Sequence, residues 1–393
     1  MKNLWNDNDT INFKNDLDYR VYTSNLLGRS DELVLHGGGN TSVKSKVDGQ
    51  DILYVKGSGW DLVDIKAQGF APVELSFLID MAKLEELSDT DMVAAQREAM
   101  IDKTAPNPSV EAILHAIIPF KYVDHTHADA VVTISNSANG EEFIKEIYPN
   151  YLIVPYIMPG FILAHKIYEM LKDIDWDKCE GIILHNHGIF TFDDDAKKSY
   201  EKMIDAVTLS EEFLNKKAPL IIEKYIPRAT LDTVQLQTII NNEKGYEVTM
   251  KVDQSPLALH YASCRNLQTV VCRGVLTPEH IIRTKRIPMV LESSDIQGTL
   301  ENYKEQYYNY FEAFKKDEIC LNKAPNYVVV KNFGVVYFGK NGKEVNIIND
   351  IISHTMAAVL KADILGGFRS ISIKDSFDME YWELEQNKLK ASQ

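Results

Sequence analysis

Gly181-Ile-Ile-Leu-His-Asn-His-Gly-Ile-Phe-Thr-Phe192 opens as a short apolar strand, Gly181–Leu184, that ends at His187. Gly188 lets the chain turn away there and leaves the imidazole accessible. A long amphipathic helix follows over Ala196–Leu214. The same pattern returns at Tyr327-Val-Val-Val-Lys-Asn-Phe-Gly-Val-Val-Tyr-Phe338, again with a long helix after it, from Lys343. In this second copy Lys331 and Phe333 stand where the first has His185 and His187. An internal repeat accounts for the match, and two unrelated strand–turn–helix units would account for it equally well. On the repeat reading, the second copy has lost its imidazoles and serves structure or shapes a substrate.

Outward from this stretch, residues 1–220 interleave helical and strand-like segments. Asp16–Leu27 has helical spacing, Ile52–Val55 is a short strand, and Tyr122–His127 is another. Asn107-Pro108 reads as a helix start, because Asn caps and Pro suits the first helical position, with the helix ending at Pro119. Such interleaving predicts an α/β layered domain. The polar stretch Thr238–Tyr246 is the expected boundary, with a second domain over 250–393.

A chain of 393 residues is long enough for two domains, and 45% hydrophobic residues suffice for a sizeable core. No apolar stretch reaches the ~18 residues that a membrane helix needs. Met1–Asp7 has no apolar signal core, and four cysteines lie scattered without a CxxC pair, so a reducing cytoplasm is the expected compartment. A formal net charge of −15 argues against nucleic acid as partner. It leaves a small anionic substrate open, since one phosphate needs only a few N–H groups.

Chemistry-bearing residues gather in five places. His125-Thr126-His127 ends a strand, and alternate strand residues share a face, so both imidazoles can chelate one ion. A lone HxH pair arises by chance, but His187 offers a third imidazole, and three with an open position suit a catalytic Zn²⁺. His185 shares the His187 side if the strand continues, so spacing alone does not choose between them; His185 is read as supporting the ligands from behind or as packing. Glu111 falls in the first turn of the expected helix, where the dipole favours a carboxylate, or serves near the metal as ligand or proton acceptor. His115, one turn on, reads as a core histidine. Gly37-Gly-Gly-Asn-Thr-Ser42 and Gly57-Ser-Gly59 are glycine-rich turns whose N–H groups, with nearby hydroxyls such as Ser109, can cradle a phosphate.

Taken in order, GGGNTS, KGSG, PSVE, HTHAD and HNHG resemble the class II aldolase/adducin family. The likeness is greatest to the aldolase half of fused rhamnulose-1-phosphate aldolase/short-chain dehydrogenase proteins. It continues through His280–Pro288 and Phe377–Trp382, and so spans nearly the whole chain. In those fusions a dehydrogenase domain follows; no dinucleotide fingerprint is found within residues 1–393. The resemblance implies a three-layer αβα fold, a divalent metal (Zn²⁺ foremost) on His125, His127 and His187, and Glu111 as catalytic acid/base. It implies phosphate contacts from Asn40, Ser58, Gly59 and Ser109, and a homo-oligomer. Val110 departs from the fuculose enzymes, which have a second serine there. The family's general acid, contributed by a neighbouring subunit, has no clear match within Glu141–Tyr151 (Glu141, Glu142, Tyr148, Tyr151).

The implied reaction is reversible cleavage of a ketose 1-phosphate, rhamnulose-1-phosphate-like, to dihydroxyacetone phosphate and a short aldehyde. A pentulose-phosphate 4-epimerase and a sugar-acid phosphate decarboxylase would share the same site. An adducin-like binding module is the alternative of another class, and it has no need of Glu111 and three histidines.

Overall fold

The computed structural model describes residues 1–222, 225–384 and 386. Contacts divide them into one unit of residues 1–135 and 141–213 and another of 136–140 and 214–393.

In the first unit the strands are β1 (Asn40–Val47), β2 (Gln50–Lys56), β3 (Phe70–Glu74), β4 (Tyr122–Thr126), β5 (Tyr151–Val154), β6 (Gly181–Leu184) and β7 (Gly188–Asp193). They form one sheet in the order β3-β2-β1-β4-β7-β6-β5, with β5 and β6 parallel and the other neighbours antiparallel. Side chains alternate between the two faces. Leu53, Val55, Val123, Phe190 and Phe192 share one buried cluster with the helices Leu75–Ala82, Ala112–Ile117 and Phe161–Leu171. Val43 and Tyr122, on the opposite face, cluster with Leu17 and Tyr19 of the helix Asp16–Gly28 and with Ala196 of the helix Ala196–Lys217. Helices on both faces make the three-layer αβα arrangement.

β4 is buried along its whole length, so its one acidic residue needs a partner. Asp124 and Arg20 are both fully buried and form an ion pair, and Ser199 Oγ donates to the other carboxylate oxygen. Arg20 also donates to the carbonyls of Ser42 (3.2 Å) and Val123 (3.4 Å). This network fixes β1 and β4 one residue away from His125.

The expected helix from Asn107-Pro108 begins later, at Ala112. Residues 107–109 instead pair with the end of β2: Ser58 N–H donates to Asn107 O (2.8 Å) and Ser109 N–H to Lys56 O (3.0 Å). Those bonds take up backbone groups that a first helical turn would need, so Glu111 sits at the cap position with φ −92° rather than inside the helix. At its far end Lys44 Nζ donates to the carbonyls of His115 (2.8 Å), Ile118 (2.6 Å) and Phe120 (2.7 Å), satisfying groups that a helix end leaves open.

The second unit contains β8 (Thr249–Asp253), β9 (Met289–Leu291), β10 (Tyr327–Val330) and β11 (Gly334–Gly339), in the order β8-β11-β10-β9. Order and pairing sense repeat those of β4-β7-β6-β5: β9 and β10 are parallel, and the other pairs antiparallel. The register agrees too. Leu184 faces Gly188 as Val330 faces Gly334, and Thr126 faces Ile189 as Asp253 faces Val335. Both hairpins turn on a left-handed asparagine, Asn186 (φ 58°) and Asn332 (φ 56°). The polar stretch Thr238–Tyr246, expected as a boundary, lies within and just after the helix Thr233–Lys244. Leu236 and Ile240 bury that helix in the core of this unit, and its polar side is its outer face.

Candidate metal centre

The sheet register brings distant motifs together. β1 places Asn40 opposite His125, and β7 places Phe190 opposite the same histidine. The His125 ring stacks on Phe190, centroids 4.1 Å apart, and Nδ1 lies 3.0 Å from Ile189 O. A carbonyl only accepts, so Nδ1 carries the proton and Nε2 presents its lone pair. His127 follows β4 with its Nε2 3.0 Å from that atom. His187 comes from the turn after β6, and one ligand nitrogen from each of the three imidazoles falls within 4.8 Å of the others.

His185 is not in this cluster. β6 stops at Leu184, and left-handed Asn186 turns the chain between the two histidines, so two-residue alternation does not apply. Gly188 has a second reason beyond the turn. A Cβ there would lie 2.4 Å from Thr126 O and 2.9 Å from His125 Cε1. Only glycine lets β7 approach β4 this closely.

Glu111 is 5% exposed and reaches the same cluster. Its Oε2 is 3.6 Å from His125 Nε2 and its Oε1 is 3.7 Å from His187 Nε2. Asn40 Nδ2 donates to Oε2 (2.6 Å) and to Ser109 Oγ (3.2 Å), while Oε1 accepts no hydrogen bond among the described residues. His115 sets the orientation of that amide: its Nε2 donates to Asn40 Oδ1, and its Nδ1 accepts from Ser42 Oγ at 2.8 Å. Burial, with the charges of His125, Lys44 and Arg20, holds the His115 imidazole well below its usual pKa, and it stays neutral. The sequence reading gave His115 only a core role. Its spacing four residues after Glu111 was the signal, since that places both on one helix face.

The glycine turns adjoin the cluster. A Cβ on Gly38 would lie 3.4 Å from His127 Nδ1, and one on Gly39 would lie 2.7 Å from His125 O. Ser58 and Gly38 spend their N–H groups on Asn107 O and Leu35 O, whereas a Cβ on Gly59 would meet open space. Lys56, which the sequence reading quoted but did not single out, is 6% exposed and donates from Nζ to Gly37 O at 3.2 Å. Burial lowers its pKa, and the charges of Asp61 and Glu111 oppose that shift. Val110 packs against the core, and the Tyr148 hydroxyl is taken up by Ala206 O at 2.7 Å. Glu141 and Glu142 lie exposed on the helix Gly140–Ile147.

The donor set fits a divalent ion. Nitrogens on one tetrahedral Zn²⁺ would stand about 3.3 Å apart. A buried carboxylate oxygen that accepts no hydrogen bond among the described residues stands 3.7 Å from an imidazole nitrogen, room that a cation between them would fill.

The family described as class II aldolase and adducin N-terminal domain matches residues 20–214, and that described as aldolase class II, second domain, matches residues 228–389. The chain belongs to the class II aldolase/adducin family. The N-terminal class II aldolase domain of a conserved protein from Thermoplasma acidophilum is 37% identical, covers 55% of this chain and 99% of its own, and superposes with a TM-score of 0.50. L-fuculose-1-phosphate aldolase from Thermus thermophilus is 14% identical with a TM-score of 0.33, over 50% of this chain and 92% of that one. A curated relative from Bacillus subtilis (strain 168), named uncharacterized oxidoreductase YuxG, is 28% identical across 99% of this chain. This chain spans 60% of that relative's length. No helix among the described residues is long and apolar enough to cross a membrane.

In the second unit the register puts Val252 at the position of His125, and Gln254 and Phe333 correspond to His127 and His187. Gln254 Nε2 donates to Phe333 O at 3.0 Å, so a side-chain-to-backbone bond stands where the first unit has imidazoles.

Proposed function

We propose that this class II aldolase family member reversibly cleaves a ketose 1-phosphate to dihydroxyacetone phosphate and a short aldehyde. Supporting this reading is the meeting of Glu111 with the three imidazoles, at 3.6 and 3.7 Å from His125 and His187. His125, His127 and His187 would hold the ion, Zn²⁺ foremost, and a bound divalent ion supplies Lewis-acid stabilisation of negative charge on substrate oxygens.

Glu111 divides its carboxylate between two tasks. Oε2 is held by Asn40, and Oε1, which accepts no hydrogen bond among the described residues, is left to move a proton. In cleavage the carbon–carbon bond breaks, its electron pair stays with the ketone-side carbon, and Glu111 Oε1 delivers a proton there. In condensation the same oxygen removes that proton. The hydroxyl proton of the aldehyde fragment passes to a second group, which the family resemblance assigns to a neighbouring copy in a homo-oligomer. The Ser58 and Ser109 hydroxyls and the Gly59 N–H grip the phosphate, with Lys56 as its cation, while Asn40, whose amide is taken up by Glu111, Ser109 and His115, positions Ser109 beside it. Among the described residues of the second unit no three imidazoles come together, and this reaction assigns that unit no step.

The test incubates the protein with a panel of ketose 1-phosphates and measures dihydroxyacetone phosphate and aldehyde together. Equal release of both, abolished by chelation and by His127→Ala, is expected. A 4-epimer or carbon dioxide as product would replace this reading with an epimerase or decarboxylase. No metal and no turnover would leave a binding module.

A further inference from the structure

The proposed reaction makes no use of the second unit, yet two of the stretches that carry the family resemblance meet inside it. Lys285 and Arg286 follow the short helix Ile281–Thr284, Glu380 ends the helix Ile373–Glu380, and the long helix Ile296–Phe314 brings Tyr303, Tyr307 and Tyr310. Beside them lies a cavity of about 190 Å³, lined by Arg286, Ile287, Tyr303, Gln306, Tyr307 and Tyr310.

The tyrosine hydroxyls are largely occupied. Tyr307 donates to Glu380 Oε1 (2.8 Å) and shares a bond with Tyr381 (2.7 Å), and Tyr303 donates to Ile287 O (3.2 Å). The Tyr303 and Tyr307 rings therefore form apolar wall, while the buried Tyr310 hydroxyl has no hydrogen-bond partner among the described residues. Lys285 Nζ is also engaged, donating to Asn322 O at 2.7 Å and lying 3.5 Å from the Tyr307 ring centroid. The Arg286 guanidinium, which lines the cavity with Tyr310, likewise makes no hydrogen bond or ion pair among the described residues.

Charge and strain point the same way. Lys285 and Arg286 both act on Glu380, which is 3% exposed. Lys285 also takes a backbone conformation, φ 62° and ψ 172°, that only glycine adopts readily. Such strain collects at ligand clamps.

We propose that this cavity binds a small organic monocarboxylate, paired with the Arg286 guanidinium and laid against the rings of Tyr303, Tyr307 and Tyr310. A guanidinium fork matches the two parallel oxygens of a carboxylate. The ring-lined wall favours an organic anion over bare inorganic phosphate. The volume lies below the ~300–1,000 Å³ of drug-sized pockets and suits a body of a few carbons. Gln306 adds one amide for a neighbouring hydroxyl or keto oxygen.

The test titrates the full chain, with its metal, against glycolate, butyrate and benzoate at millimolar concentrations, with inorganic phosphate in parallel, by calorimetry. At least one carboxylate should bind, and Arg286→Leu should weaken it by roughly 10- to 100-fold, as for loss of a charged hydrogen-bonded pair. His127→Ala should leave that binding intact. Should Arg286→Leu fail to fold, Arg286→Lys, which keeps the charge and loses the fork, is read for the same weakening. Absence of binding by all three carboxylates overturns the proposal. So does binding that ignores Arg286, that vanishes in His127→Ala, or that is stronger for phosphate than for any carboxylate.

Discussion

Asn40 Nδ2 donates to Glu111 Oε2 over 2.6 Å from a strand position directly opposite His125. One amide thus ties the glycine-rich turn, the carboxylate and the strand that carries His125 together. The register of β1 on β4 sets this contact, and His115 sets the amide's orientation.

Asn40→Leu removes both donors while keeping the residue's bulk. A hydrogen bond to a charged group contributes about 1.5–3 kcal/mol, so turnover should fall roughly 10- to 100-fold. Metal content should not change, because the imidazoles are untouched. Steady-state cleavage alongside elemental analysis reads both, and a variant that turns over normally would remove Asn40 from the account.

His115 predicts an acid-sensitive fold. Its folded pKa is held well below the usual 6.5. As pH falls below 6.5 the unfolded chain takes up a proton that the folded chain refuses. The contribution is therefore fully present above 6.5 and is lost below it, by up to about 1.4 kcal/mol per pH unit. Urea unfolding of chelator-treated protein between pH 7.5 and about 5 should show a shallower loss in His115→Gln. Identical slopes in the two proteins would contradict the burial of a neutral imidazole.

Gly188 and Gly334 stand at equivalent places, where a Cβ would lie 2.4 Å from Thr126 O and 2.3 Å from Asp253 O. Alanine at either should cost about 1–3 kcal/mol of stability by forcing two strands apart. Gly188→Ala should also weaken metal binding, because it displaces His125, whereas Gly334→Ala should leave metal content whole. Chemical denaturation paired with metal analysis separates the two effects, and equal metal loss in both would contradict the assignment of the ion to the first unit.

The same positions mark how far the sequence could be read. Strand alternation suffices for His125 and His127, because β4 is a regular strand through Thr126. It fails at His185, since a left-handed asparagine is invisible to a period-of-two argument. The repeat was visible as a pattern but not decidable, because short apolar strands look alike; the shared register and the paired asparagines carry information that only strand pairing holds. Val252 and Gln254 could not be matched to His125 and His127 for the same reason. Asn107-Pro108 misled as a helix start because Ser58 and Lys56 claim that backbone from far away in the chain. Lys56 was legible only as part of a turn, because its burial is a tertiary fact.

The central claim is that three imidazoles hold the ion while Glu111 moves a proton. Glu111→Gln keeps the size of the side chain and removes its basicity. Metal content and single-turnover cleavage of a ketose 1-phosphate, measured on one preparation, test the division of labour directly. The account predicts nearly full metal with turnover reduced by roughly 10²–10⁴-fold, as for loss of a positioned acid/base. Lost metal would make Glu111 an essential ligand, and normal cleavage with metal retained would contradict the mechanism.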